Sequence, residues 1–186
     1  MLRLITRCAA VLCVLLYATS CGYGNSTSPS LNLYMADAPI DGANSINITL
    51  TELDVTGDAG TLYFPFPGPV TFNFYQLQGG LSQFLISQPL PTGHYTSITL
   101  YFEAAPGTLD SSITLIGNGN VYPLVIPAGA PTKITVPVNF IVFRNISANY
   151  TVDLDLRRSI FQDPNNSEQY ILQPSLRAIN NAEAGS

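Results

Sequence analysis

Asn44–Val55, NSINITLTELDV, is the stretch whose pattern decides the fold. Ile46, Ile48 and Leu50 recur at every second position, with Asn47, Thr49 and Thr51 between them. A period of two marks a strand with one face in a core and the other toward water. At Glu52–Leu53 the apolar phase changes, which predicts a bulge or a strand end.

The same character extends outward in both directions. Leu62–Phe66, Val70–Leu77, Tyr95–Ala104, Ile113–Ile116, Val121–Ile126 and Ile134–Phe143 are short runs rich in Val, Ile, Thr, Tyr and Phe, as strands are. Turn residues punctuate them at Gly57–Asp58, Pro67–Gly68, Thr92–Gly93, Pro106–Gly107, Gly117–Asn118–Gly119 and Ala128–Gly129. No long amphipathic helix is legible; Gly80–Ser87 is expected to form one helical turn. Short strands at this spacing predict an all-β fold, a sandwich or a barrel, and the form expected is an antiparallel β-sandwich of the immunoglobulin/transthyretin-like kind. A single domain over residues 31–180 is expected, with a tail at 181–186.

The closing strands set a register. Thr151–Ile160 and Tyr170–Ile179 flank a turn cluster at Asp163–Ser167. Val152, Leu154, Leu156 and Ile160 share one parity. Tyr170, Leu172, Pro174, Leu176 and Ala178 share the matching one if the hairpin is centred near Asn165. Asp153 then falls opposite Arg177 as a structural ion pair, and Asp155 lies near Ser175. Pro174 lacks an amide donor, so the last strand is expected at an edge or broken there.

The N-terminus carries a different signal. Arg3 and Arg7 precede the unbroken apolar run Cys8–Ala18, and Thr19–Ser20 lead to Cys21. A basic start, an apolar stretch and a small-residue cleavage site form a secretory signal, expected here over residues 1–20. The apolar run of 11 residues is short of the roughly 20 needed to span a bilayer as a helix. Ala18 and Ser20 also resemble a bacterial lipobox, although Ala18 stands where Leu is usual. Cys8 and Cys13 leave with the signal, so Cys21 has no disulfide partner in the mature chain and is expected to carry an acyl lipid such as palmitate. Residues 21–30 then form a polar tether; as a coil, its nine residues after Cys21 span roughly 15–18 Å. The expected location is the bacterial cell envelope, at the outer membrane or cell surface, with the membrane as a partner through the lipid.

The mature chain keeps five basic residues against twelve acids, a formal charge of −7. That balance repels phosphate backbones and excludes nucleic acid as an expected partner.

Four stretches, in order, resemble a known family. They are Tyr34–Pro39 (YMADAP), Ile46–Val55, Leu90–Leu100 (LPTGHYTSITL), and Val152–Ile160 followed by Tyr170–Pro174. Together they are similar to the bacterial lipoprotein domain-of-unknown-function family 4382. Thr99 and Gln173 depart from it, where Arg and Lys are frequent. The resemblance implies a β-sandwich lipoprotein and no assigned activity.

Catalytic chemistry finds little support in the residue types. His94 is the only histidine, in a turn, and no Gly-x-Ser-x-Gly elbow exists. One His and no free Cys do not make a zinc site, so neither a metal nor another cofactor is expected, and no catalytic residue is assigned. Asp37 and Asp41 around a Pro-containing loop are the candidates for calcium, against simple turn formation. Phe72 and Phe74 alternate with polar residues and are expected in the core. Tyr63 and Tyr75 are the candidates for stacking on a sugar. The expected function is a non-enzymatic binding or structural domain, with an envelope polysaccharide or protein as partner; a polysaccharide-binding module and an acid-dependent glycan hydrolase are the alternatives.

Overall fold

The computed structural model describes residues 28–38, 41–77 and 81–179. The signal, Cys21, residues 21–27 of the tether and the tail lie outside the described residues. The strands among the described residues are β1 (Ser30–Ala38), β2 (Ala43–Gly57), β3 (Gly60–Asn73), β4 (Ser82–Pro89), β5 (Gly93–Glu103), β6 (Ser112–Leu115), β7 (Val121–Val125), β8 (Lys133–Val142), β9 (Ala148–Asp155), β10 (Ile160–Asp163), β11 (Asn166–Leu172) and β12 (Leu176–Ile179). They form two sheets and not a barrel. One has the order β12-β9-β1-β4; the other runs β10-β11-β7-β6-β2-β5-β8, with β3 on the free side of β2.

β2 organises the larger sheet because it is long enough to serve three partners. Its start, Ala43–Asn47, pairs with β6, Thr49–Gly57 pair with β5, and Asn47–Gly57 pair with β3. The register slips between Leu50 and Glu52 against both β3 and β5, so the phase change in the sequence is a bulge at Thr51. Ile46, Ile48 and Leu50 before it, and Leu53 and Val55 after it, are therefore all fully buried. They meet Leu31, Leu33 and Met35 of β1 and Val152 and Leu154 of β9 in the common core. Each such side chain contributes about 1.5–3 kcal/mol by leaving water.

Several expectations are corrected. The sandwich is not purely antiparallel, since β1 pairs with β9 and β7 with β11 in parallel. Residues 82–87 are not helical: they lie in β4, antiparallel to β1, where the Phe84 ring meets Tyr34 edge-on at 5.7 Å. A short run of mixed residues fits either state, and pairing with β1 decides it. Val70–Leu77 stops being a strand at Asn73; Phe74–Leu77 is a 3-10 turn with Phe74 and Leu77 buried. The strand up to Asn73 is continuous with Leu62–Phe66 in β3.

The closing pair is not one simple hairpin. β9 and β12 hold the register Asp153↔Arg177 and Leu154↔Leu176, centred on Asn165. β10 and β11 pair as Ile160↔Leu172, centred on Asn166. Between them Leu156–Ser159 forms a helical turn capped by Asp155, whose carboxylate accepts from the Arg158 amide. Gln173–Ser175, including Pro174, breaks the opposite strand. The breaks send the two halves of the pair into different sheets.

Candidate functional site

The bulge at Thr51 fixes which β2 side chains look outward. After it, Glu52, Asp54 and Thr56 oppose Pro65, Tyr63 and Thr61 on β3. On the other side they oppose Tyr101, Thr99 and Ser97 on β5, and these oppose Lys133, Thr135 and Pro137 on β8. The outer face of four strands thus carries three polar rows. The middle row reads Tyr63–Asp54–Thr99–Thr135, and the next Pro65–Glu52–Tyr101–Lys133.

Tyr63 leaves 67% of its surface exposed beside Asp54, which is only 5% exposed. Asp54 Oδ2 accepts a 2.7 Å hydrogen bond from the Tyr101 hydroxyl. Asp54 Oδ1 is buried and has no partner among the described residues. Such an atom costs roughly 1–3 kcal/mol when left unmatched. Glu52 lies alongside, and its pKa is raised, first by desolvation, then by the Asp54 charge and a hydrogen bond toward it; Lys133 opposes this in part. Protonated Glu52 can supply the donor that Asp54 lacks. Lys133 sits over the Tyr101 ring at 5.2 Å, with its ammonium 3.4 Å from the hydroxyl. The Tyr101 pKa is raised, chiefly by its hydrogen bond to Asp54.

Toward the start of β2 the face continues into a recess of about 280 Å³ that includes Asn47, Thr49, Thr71, Glu103 and Asp110. Thr49 is buried there, its hydroxyl donating to the Asp110 carbonyl and lying 2.6 Å from the Thr71 hydroxyl. The face offers carboxylates, hydroxyls and one exposed ring, a chemistry suited to a polyhydroxylated ligand.

The candidates named from sequence are dispersed. Tyr63 joins this face, whereas Tyr75 sits in the 3-10 turn, and Phe72 and Phe74 are core. His94 opens β5. Its ring nitrogens lie 3.3 Å from Asp58 Oδ1 and 2.8 Å from Asn139 Oδ1, and its pKa is raised by the hydrogen bonds to Asn139 and Asp58. Neither partner is a hydroxyl or thiol nucleophile. Asp41 is exposed and lies 3.2 Å from Arg157; Asp37 belongs to β1, and its side chain lies outside the described residues. No group of three or more His, Cys, Asp or Glu that could hold a metal occurs among the described residues. Arg177 Nε lies 2.5 Å from Asp153 Oδ2, the acid being buried and the arginine largely exposed. Asp155 caps the helical turn instead of lining a surface with Asp153.

Glu52, Asp54, Tyr101 and Lys133 were not among those candidates. Their signal is present in the alternation, Glu52-x-Asp54-x-Thr56, but its meaning depends on which strands flank β2.

A family model described as a domain of unknown function (DUF4382) matches residues 28–174. No curated protein and no solved structure matches the chain.

Proposed function

The chain belongs to the DUF4382 family, a domain of unknown function matched over most of its length, and from that premise we propose that it is an exported envelope lipoprotein whose sandwich binds a polysaccharide on the outer face of β3-β2-β5-β8. Cys21 holds the acyl lipid, and the domain is of the immunoglobulin/transthyretin-like kind. The observation that carries the binding reading is the exposed Tyr63 ring beside Asp54. A sugar ring can lie on the tyrosine while its hydroxyls exchange hydrogen bonds with the half-buried Glu52 and the exposed Thr135 on the same face.

The reading is non-enzymatic. Glycoside cleavage places the bond between carboxyls separated by roughly 5–9.5 Å, whereas Glu52 and Asp54 stand alongside each other on an open sheet face. A glycan microarray probed with the full chain and with Tyr63→Ala tests this. Binding to a class of glycans that the variant loses is expected; binding unchanged in the variant, or shortening of the bound glycan, overturns it. The anchor is tested separately, because Cys21→Ser is expected to move the protein from the membrane to the soluble fraction.

A further inference from the structure

One end of the sandwich combines exposed apolar side chains with the point where the chain enters the domain. β1 begins at Ser30, whose hydroxyl lies 2.9 Å from that of Ser147, and β1 runs parallel to β9 from Leu31↔Ala148. The β8–β9 loop therefore stands beside the root of the segment leading back to Cys21. Ile141, Phe143 and Ile146 are each more than half exposed there. The left-handed Asn145 (φ 61°) turns this loop between Phe143 and Ile146. Pro91 and Thr92 share the end, because the Leu90 amide donates to the Pro29 carbonyl.

Charge separates this end from the rest of the chain. No acid occurs between Asp110 and Asp153, and of the two cations in that interval Lys133 stands at the far end of β8, opposite Tyr101. Arg144 lies within the apolar loop itself. Asp58, the acid of the nearby β2–β3 turn, is paired with His94. A surface of exposed Phe and Ile with one arginine and no acid in the loop is costly to leave in water and suits the headgroup–acyl boundary of a bilayer.

Length makes the geometry selective. The nine residues from Gly22 to Ser30 reach at most roughly 32 Å even when extended, whereas the 15 residues of β2 run about 50 Å. An anchor at Cys21 holds this end nearer the membrane than the Ala43 end. A second contact on a molecule already anchored is intramolecular, so modest affinity is enough to keep it engaged.

We propose that the Ile141–Ile146 loop docks into the lipid surface as a second membrane contact beside the Cys21 anchor. This rests on the anchor reading, and it orients the domain with β2 rising from the membrane and the Tyr63 face lateral to it.

The chain contains no tryptophan, so a single introduced one reports its own surroundings. Full-length lipidated Phe143→Trp, Ile146→Trp and Leu109→Trp chains are reconstituted on phosphatidylcholine–phosphatidylglycerol vesicles with and without brominated acyl chains. Leu109 is exposed and precedes Ser112, which pairs with Asn47, about 33 Å along β2 from Gly57. Co-flotation with blue-shifted, bromine-quenched emission at 143 and 146 but not at 109 supports the docking. Co-flotation with no quenching at 143 or 146, or with equal quenching at 109, overturns it and leaves the anchor standing. Failure to co-float overturns the anchor reading and the docking with it.

Discussion

Two aspartates, one on each sheet, are almost equally buried and meet opposite surroundings. Asp153 on β9 is 2% exposed and is bound by the Arg177 guanidinium across the β9–β12 register. Asp54 on β2 is 5% exposed, receives one neutral hydrogen bond from Tyr101, has a carboxyl beside it, and keeps one oxygen unmatched. Burying a carboxylate is costly unless it is paired, so Asp153 is explained by the fold alone. Asp54 is not. Its second oxygen is matched only by a proton held on the neighbouring Glu52.

The largest expected effect tests the frame around Asp153. Leu154 is fully buried, so Leu154→Ala should cost about 2–5 kcal/mol, read from urea unfolding midpoints. A neutral result would mean that β9 does not pack as described and would remove the basis for calling Asp153 structural.

Next comes the ion pair. Arg177→Met leaves Asp153 buried without its cation. Truncating a fully buried pair costs about 3–5 kcal/mol and an exposed pair about 0–1. With one partner buried and the other largely exposed, about 1–3 kcal/mol is expected. A double-mutant cycle should find coupling between Asp153 and Arg177 and much less between Asp155 and Arg177, because Asp155 caps the helical turn and pairs with Arg158.

The same substitution at both aspartates sharpens the contrast. Asp153→Asn removes a charge-assisted hydrogen bond and should destabilise by about 1–3 kcal/mol. Asp54→Asn removes the charge beside Glu52 and with it the need for a proton there, so it should be neutral or stabilising by about 1 kcal/mol. Equal losses at the two positions would erase the distinction between a structural and a functional acid.

How far the sequence carries this contrast depends on which partners it reveals. The closing register was legible because one turn cluster, Asp163–Ser167, ties Asp153 to Arg177 through nearby chain. The bulge was legible because a period of two breaks visibly at Glu52. The Asp54 face was not, since Tyr63, Thr99, Tyr101 and Lys133 come from three strands up to 79 positions away from Asp54, and alternation tells which side a residue faces but not whose neighbour it is. The parallel β1–β9 pair was hidden for the same reason. The helical turn at Leu156–Ser159 is hidden because Leu156 and Ile160 keep strand parity across it, although Asp155 is a standard capping residue.

The carboxyl beside Asp54 adds a pH dependence. The Glu52 pKa is raised, so the folded protein holds that proton to higher pH than the unfolded chain does. Its contribution is complete below the unfolded value of 4.5 and is lost as pH rises through the folded value. Glu52→Gln keeps a donor beside Asp54 at every pH. The variant should therefore gain stability relative to the wild type as pH is raised from about 4 to about 7, followed by denaturant midpoints at each pH. A constant difference would show that Glu52 and Asp54 do not share a proton.

The smallest expected effect on stability is also the most informative for function. Tyr63 is two-thirds exposed on edge strand β3 and packs into no core layer. Tyr63→Ala should change unfolding free energy by no more than about 0.5 kcal/mol, the range of ordinary surface substitutions. If the ring is a stacking platform, the same variant loses glycan binding while its melting curve is unchanged, and Tyr63→Phe, which keeps the ring and loses only the hydroxyl, retains most of it. If Tyr63→Ala instead unfolds the domain, the ring is covering the buried Asp54 and its exposure carries no functional meaning. Loss of binding with Tyr63→Phe as well would shift recognition from the face of the ring to its hydroxyl, and the ligand from a stacked sugar to a hydrogen-bonded one.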